Sequence, residues 1–437
     1  MNDSIKQFRV NPGGQLHGTL RVPGDKSISH RAIMLGALAE GTTQVNGFLE
    51  GADTLATSSA FQTMGVSIEG PNQGQVIIQG VGLHGLQAPT KSLYLGNSGT
   101  SMRLLAGLMA GQKFTVEMSG DESLSRRPMR RITEPLIRMG ARLETTQQET
   151  PPLIIQGGQA LQGIHYNMPM ASAQVKSCLL LAGLYAAGTT CVIEPAPTRD
   201  HTERMLTAFG YKVQRDGQRV YLNGGGQLLA TTIDIPADIS SAAFFLVGAS
   251  IAQGSELLLK QVGINPTRIG VLNILRQMGA HISLHNQHEV GGEPVADIQV
   301  RASSLQGIKI PQEQIALAID EFPILFIAAA CAKGKTVLTG AKELRFKESD
   351  RIAVMAEGLQ TVGIEATPTQ DGIVIQGGQI QGGTINSHGD HRIAMAFAIA
   401  ALVAKQPIVI EDCANVTTSF PNFVDLAQKI GIDIQSQ

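Results

Sequence analysis

The stretch Leu136–Glu144, LIRMGARLE, reads as the last turn of a helix, a glycine at which the chain reverses, and the start of an alternating strand. Five further stretches share the pattern: Phe61–Glu69 (FQTMGVSIE), Leu206–Gln214 (LTAFGYKVQ), Leu275–Ser283 (LRQMGAHIS), Leu359–Thr367 (LQTVGIEAT) and Ala427–Gln435 (AQKIGIDIQ). Gly65, Gly140, Gly210, Gly279, Gly363 and Gly431 therefore mark six units of about 70 residues each. Each glycine suits the position just past a helix C-terminus, where left-handed backbone is needed and a Cβ would be strained.

Upstream of each glycine lies a stretch rich in Ala, Leu and Gly: His30–Gly41, Ser101–Gly111, Lys176–Gly188, Ser241–Gly254, Phe322–Gly334 and His391–Ala404. These are apolar nearly all round, as helices inside a protein are. Each leads into a β-branched segment such as Thr189–Pro195 (TTCVIEP) or Lys335–Ala341 (KTVLTGA), so one unit reads helix, strand, helix, strand, strand. Interior helices need sheets to cover them, which predicts an α/β fold with helices within and sheets outside. Three units enclose such a core better than one. The expected division is residues 21–235, holding units one to three, and residues 236–437 joined by 1–20, holding units four to six. Asp238 and Ser240, at the start of the fourth unit's helix, read as caps near a hinge.

With a net charge of −2 and only 16% charged residues, the chain has no global field to attract nucleic acid or an anionic membrane, so anion binding must be local. The segment MNDSIKQFRV carries no export or import pattern, and a cytoplasmic location is expected. Ile393–Ala404, the longest apolar run, is shorter than the roughly 20 residues that span a bilayer. Cys178, Cys191, Cys331 and Cys413 form no C-x-x-C pair and read as reduced and structural.

Three tempting motifs fail on context. Gly80–Gly85 (GVGLHG) matches a dinucleotide fingerprint, but its continuation, Leu86–Gly96 (LQAPTKSLYLG), does not read as a helix. Gly334-Lys335-Thr336 resembles the end of a phosphate loop, yet Ala329 stands where the earlier glycine is required. His281, His285 and His288 lie in a polar stretch with no accompanying carboxylate pattern, which favours a solvated segment over a metal site.

Charge falls at equivalent places in the units. PGDKSISHR puts Lys26, Ser27 and Arg31 at a helix start, and LGNSGTSMR supplies Asn97, Gly99 and Thr100. Ser172, Ala173 and Gln174 open the third interior helix, Asp320 and Glu321 the fifth, and Asp390, His391 and Arg392 the sixth. The second helices are expected to start at SRRPMRR, TRDHTER and FKESDR, which bring Arg127, Arg199, Lys347, Glu348 and Arg351. Capping explains the Ser and Asp residues. It does not explain the cations, which oppose the helix dipole at an N-terminus, and their recurrence points to a bound anion.

At these residues the chain resembles the 5-enolpyruvylshikimate-3-phosphate (EPSP) synthase family, in its second sequence class. PGDKSISHR, LGNSGTSMRLLAG, SRRPMRRITEPL, ASAQVKS, TRDHTERML, DEFP, KESDR and DHRIAM occur in family order over nearly the whole chain. The resemblance implies the two-domain enolpyruvyl transferase fold, an inside-out α/β barrel that closes over its substrates. It implies transfer of the enolpyruvyl group of phosphoenolpyruvate to the 5-hydroxyl of shikimate 3-phosphate through a tetrahedral intermediate, with neither metal nor organic cofactor. Lys26, Ser27, Arg31, Ser172, Ala173, Gln174, Arg199, Asp320 and Lys347 match the residues that hold shikimate 3-phosphate. Lys26, Asn97, Gly99, Arg127, Gln174, Arg351 and Arg392 match those that hold phosphoenolpyruvate. Asp320 matches the base and Glu348 the donor of the C3 proton, with Lys26, Lys347 and His391 in support. Glyphosate is the inhibitor implied, with Gly99 leaving it room, and a monomer is expected.

Thr418 stands where many members have a lysine, and Leu104 where the first class has a proline. Two rivals remain at this point. The related transferase acting on UDP-N-acetylglucosamine shares the repeat but uses a loop cysteine as its acid, a pattern that none of the four cysteines matches. A repeat-built binding scaffold, or a binder of nucleic-acid ends, would have no need of Asp320 and Glu348 among the cations. With 4% aromatic residues and no Trp, it would also have little to stack on bases.

Overall fold

The structure is a computed structural model describing residues 7–437; the first six residues of MNDSIKQFRV, on which the location was argued, lie outside it. The chain forms two compact units. One comprises the chain up to Pro23 with Pro236–Glu289 and Glu293–Gln437, the other Gly24–Ile235 with Val290–Gly292. Each has its own apolar core.

The apolar stretches form the interior helices. Lys26–Leu38, Gly99–Ala110 and Ala173–Gly183 lie in the second of these units, and Ile239–Ile251, Phe322–Cys331 and His391–Ala400 in the first. In Ile239–Ile251 every residue from Ile239 to Ser250 is buried, as a helix with no polar face requires. Small residues let the helices touch. A Cβ placed on Gly107 would fall 2.1 Å from the Cys178 carbonyl oxygen, so Gly99–Ala110 and Ala173–Gly183 meet backbone to backbone.

The second helices are Ala52–Thr63, Arg130–Arg138, His201–Ala208, Gly270–Gln277, Arg351–Thr361 and Phe423–Lys429. All six end alike. The repeat glycines have φ between +78° at Gly210 and +109° at Gly431. In each, the residue after the glycine donates to the carbonyl five positions back, as Ala141 does to Leu136 at 3.0 Å, which is the Schellman closure.

Among the described residues the strands form six separate sheets. In the first, Ala39–Asn46 pairs antiparallel with Gln75–Val81, which pairs antiparallel with Ser67–Asn72. Along Gln75–Val81, Val76 and Ile78 are buried while Gln75, Ile77 and Gln79 are exposed, giving one face to the helices and one to solvent. A fourth strand, parallel to the first, comes from the end of the preceding repeat, as Leu93–Tyr94 does for Val116–Ser119. For the first repeat that strand is Leu228–Leu229 with Thr232–Asp234, from after the third, which closes the three repeats into a ring. The fifth sheet has three strands, with isolated parallel bridges such as Lys309 to Val337 in place of the fourth.

One sequence expectation needs correction. In the sheet of the sixth repeat the third strand comes from the N-terminal segment and not from the repeat itself. Gln7–Val10 takes that place, pairing antiparallel with both Ile408–Glu411 and Ile434–Ser436 and burying Phe8 and Val10. The chain then runs into His17–Leu20, parallel to Glu256–Gly263 of the fourth repeat, so the N-terminal segment closes this ring.

Among the described residues no helix is long and apolar enough to cross a membrane. His281, His285 and His288 are exposed on the strand His281–Val290, the ring of His285 against Gln299.

Candidate active site

In the unit Gly24–Ile235, Asp25 caps the first interior helix by accepting from the Ile28 N–H at 2.9 Å. That fixes Lys26 in the first turn, where its ammonium pairs with buried Asp53. One turn on, the buried Arg31 guanidinium spans three elements. It donates to Thr202 Oγ1 at 2.7 Å, to Ser177 Oγ at 2.9 Å and to the carbonyl of Ser27 at 2.9 Å. Arg31 thereby holds the backbone of Ser27 and ties together three helix starts.

Ser172 caps the third interior helix through Val175 N, leaving Ala173 and Gln174 in its first turn. Gln174 reaches the second interior helix, accepting from Arg103 Nη1 at 2.7 Å and donating to Thr100 Oγ1 at 3.2 Å. Gly99 opens that helix, and a Cβ there would lie 2.9 Å from Arg103 Nη1 and 3.0 Å from Arg127 Nη1. Asn97 orients Arg127, accepting from Nη2 at 2.6 Å, and itself donates to Asp121 at 2.7 Å. Asn97, Gly99, Arg127 and Gln174 thus form one cluster. Arg103 belongs to it, though sequence reasoning passed over that residue; its place on the same helix, one turn from Gly99, was the available signal.

Arg127 does not start a helix, contrary to the expectation for SRRPMRR. It lies between the helices Glu122–Ser125 and Arg130–Arg138, because a residue before proline, here Pro128, is disfavoured in helical backbone. Arg199, half-buried, likewise precedes its helix, His201–Ala208.

The other unit gathers the remaining candidates around Arg351. Its guanidinium is fully buried and donates through Nε to Asp390 Oδ2 at 2.8 Å and through Nη2 to Glu348 Oε2 at 2.7 Å. Nη1 makes no hydrogen bond and lies 3.6 Å from Asp320 Oδ1. Burial alone would favour a neutral arginine, but Asp390, Glu348 and Asp320 outweigh it and hold the group above its ordinary value. Burial would likewise raise the carboxyl of Asp390, yet Arg351 holds it below the usual carboxylate range. Lys347 donates to Asp320 Oδ1 at 3.0 Å.

Asp390 also caps the sixth interior helix through Arg392 N at 3.0 Å, fixing His391 and Arg392 in the first turn. Arg392 Nη1 is 3.8 Å from buried Glu321, which accepts a hydrogen bond from Ser240 Oγ. Ser240 in turn accepts from buried Arg268 at 2.7 Å, while Asp238 caps the fourth helix through Ser240 N at 2.8 Å. The fourth repeat therefore does more than cap: it ties Arg268 and Ser240 to the carboxylate beside Arg392. Glu321 stood out in the sequence without a role.

These pairings also correct the dipole argument. Several cations at helix starts have resident carboxylate partners: Asp53 for Lys26, Asp390 for Arg351 and Glu321 for Arg392. Acidic side chains thus help hold cations at helix N-termini that would otherwise repel them. The cysteines stand apart. Cys178 and Cys413 are wholly buried in the cores, and burial pushes the thiols of Cys178, Cys331 and Cys413 up to about 12.

Residues 10–426 match the model of the family described as EPSP synthase (3-phosphoshikimate 1-carboxyvinyltransferase). A 3-phosphoshikimate 1-carboxyvinyltransferase of Nitrosococcus oceani is 69% identical over 428 residues, covering 98% of this chain and 96% of its own. One of Methylococcus capsulatus is 65% identical over 435 residues, covering both chains completely. Among solved structures, an EPSP synthase of Acinetobacter baumannii has a TM-score of 0.89 at 58% identity, covering 99% of this chain and all of that one. The enolpyruvyl transferase NikO of Streptomyces tendae has a TM-score of 0.81 at 15% identity, over 99% of each chain, and shares the fold.

Proposed function

The chain belongs to the EPSP synthase family and is an enzyme that transfers the enolpyruvyl group of phosphoenolpyruvate to shikimate 3-phosphate, and we propose how its residues divide that work. The transfer adds the 5-hydroxyl of shikimate 3-phosphate to C2 of phosphoenolpyruvate while C3 gains a proton. It then expels phosphate from the tetrahedral adduct. The UDP-N-acetylglucosamine reading is not favoured, since relatives that match the full length carry the shikimate name.

Lys26, Ser27, Arg31, Ser172, Ala173, Gln174 and Arg199 hold shikimate 3-phosphate, with Asp320 and Lys347 at its reacting end. Lys26, Asn97, Gly99, Arg127 and Gln174, with Arg351 and Arg392, hold phosphoenolpyruvate. Guanidinium forks suit its carboxylate and phosphate because they present paired donors in a plane. The observation that carries this division is Arg351: a buried, permanently charged group whose Nη1 makes no hydrogen bond, set between the carboxylates of Asp320 and Glu348.

Asp320 takes the hydroxyl proton, and Lys347 at 3.0 Å orients its carboxylate. Glu348, held by Arg351 at 2.7 Å, gives a proton to C3. Lys26 and His391 stabilise the charge that develops as the adduct forms and collapses. No step in this scheme calls for a metal or an organic cofactor. Glyphosate competes at the phosphoenolpyruvate set, the enzyme works as a monomer, and it resides in the cytoplasm.

Phosphate release measured with each substrate alone and with both together tests the reading. Release is expected only from the pair, and silence from the pair overturns it. Sedimentation at micromolar concentration tests the monomer.

A further inference from the structure

Lys176 is wholly buried on the third interior helix, two residues past Gln174, and the reaction scheme makes no use of it. Its ammonium lies 2.9 Å from Glu194 Oε1 and 2.6 Å from Glu203 Oε1, and donates to the carbonyl of Thr198 at 3.4 Å. Glu194 directly follows the strand Thr189–Ile193, and Glu203 lies in the helix His201–Ala208. The same Glu194 oxygen accepts from the backbone N–H of Thr198 at 3.1 Å and from its hydroxyl. All three polar groups of Thr198 are therefore spoken for, and the next residue is Arg199.

The neighbouring residue of each partner reaches the same substrate set. Ser177, next to Lys176, and Thr202, next to Glu203, are hydrogen-bonded at 2.7 Å and both accept from Arg31. A buried triad of this kind is poor at adding stability, since an apolar replacement of similar volume is often as good or better. What it supplies is a fixed geometry.

We propose that Lys176, with Glu194 and Glu203, is a positioning residue for the shikimate 3-phosphate set: it locks the segment Glu194–Glu203 against the third interior helix and so aims Arg199 at the substrate. This rests on the assignment of Arg199 to shikimate 3-phosphate. Lys176 touches no substrate and acts through Thr198 and Arg199. Arg215, 2.9 Å from Glu194 Oε2, closes the cluster on its outer side.

The test is Lys176→Met, alone and combined with Arg199→Ala, with KM for each substrate, kcat and the melting temperature measured. Lys176→Met should raise KM for shikimate 3-phosphate about tenfold, the worth of one charge-assisted hydrogen bond. KM for phosphoenolpyruvate and kcat should stay within about twofold, and in the Arg199→Ala background the added effect should fall below about twofold because the two act in series. A lower melting temperature with unchanged KM, or full multiplication of the two effects, overturns the proposal. Should Lys176→Met not fold, Glu203→Gln is read by the same measurements, with the same direction expected. Failure of the assignment itself looks different: Arg199→Ala alone would then leave KM for shikimate 3-phosphate unchanged, and the wild-type chain would release no phosphate from the substrate pair if the activity were wrong.

Discussion

Arg351 Nε donates to Asp390 Oδ2 at 2.8 Å, and both side chains are buried. Asp390→Asn keeps the shape and removes the charge, leaving the guanidinium to Glu348 and Asp320. Breaking one side of a buried pair costs about 3 kcal/mol or more, so a clear loss in denaturant midpoint is expected. Because Asp390 also caps the helix that carries Arg392, KM for phosphoenolpyruvate should rise more than KM for shikimate 3-phosphate. Equal changes in both would detach Asp390 from that substrate.

Asp320 and Glu348 are partly exposed, their side chains 16% and 24% accessible, so replacing either should cost less stability than Asp390→Asn, though each leaves the buried Arg351 one carboxylate fewer. Asp320→Ala and Glu348→Ala are each expected to lower kcat about 100-fold or more, the usual worth of general acid–base catalysis. Solvent-proton exchange into C3 of phosphoenolpyruvate separates the roles. It should fail in Glu348→Ala, and unchanged turnover in either variant would remove that residue from the chemistry.

The repeat was legible because it is local: a helix end, a left-handed glycine and a strand start occupy nine adjacent residues, and all six closures form as their sequence implies. Cationic site residues stood out for the same reason, each lying in a short charged phrase. Their partners did not. Asp53 is 27 residues from Lys26, Asp390 is 39 from Arg351 and Glu321 is 71 from Arg392, separations at which no helical or strand period links two side chains. The N-terminal strand was hidden likewise, since Gln7–Val10 finds its place only through strands some 400 residues away.

His30 is wholly buried, and burial first, then the charges of Lys26 and Arg31, hold its imidazole well below its ordinary value. Nδ1 lies 2.8 Å from Thr57 Oγ1, which is 2.7 Å from Ser101 Oγ, so the neutral ring belongs to a buried hydroxyl chain. The unfolded chain takes up a proton near pH 6.5, while the folded one resists until lower pH. The contribution is thus complete above about pH 6.5 and is lost as pH falls through the folded value. Urea midpoints between pH 8 and pH 5 should drop more for the wild type than for His30→Asn. Parallel curves would show that His30 is not the group responsible.

Gly99 starts its helix under the Ser98 cap, Ser101 N donating to Ser98 Oγ at 3.1 Å, and its backbone is not in the left-handed region. Alanine is therefore tolerated by the chain itself, and helix propensity does not oppose it. The cost falls on the site. The new methyl would sit 2.9 Å from Arg103 Nη1 and 3.0 Å from Arg127 Nη1, and both guanidinium groups must give way. Arg127 is tethered by Asn97 at 2.6 Å and Arg103 by Gln174 at 2.7 Å, so the displacement disturbs the cluster assigned to phosphoenolpyruvate. Gly99→Ala should keep the melting temperature and raise KM for phosphoenolpyruvate several-fold. Glyphosate is expected to need the space beside Gly99 more than the substrate does, so its inhibition constant should rise by a larger factor. Inhibition assayed with phosphoenolpyruvate held at a fixed multiple of each variant's KM decides the matter, and undiminished sensitivity in Gly99→Ala would place glyphosate elsewhere.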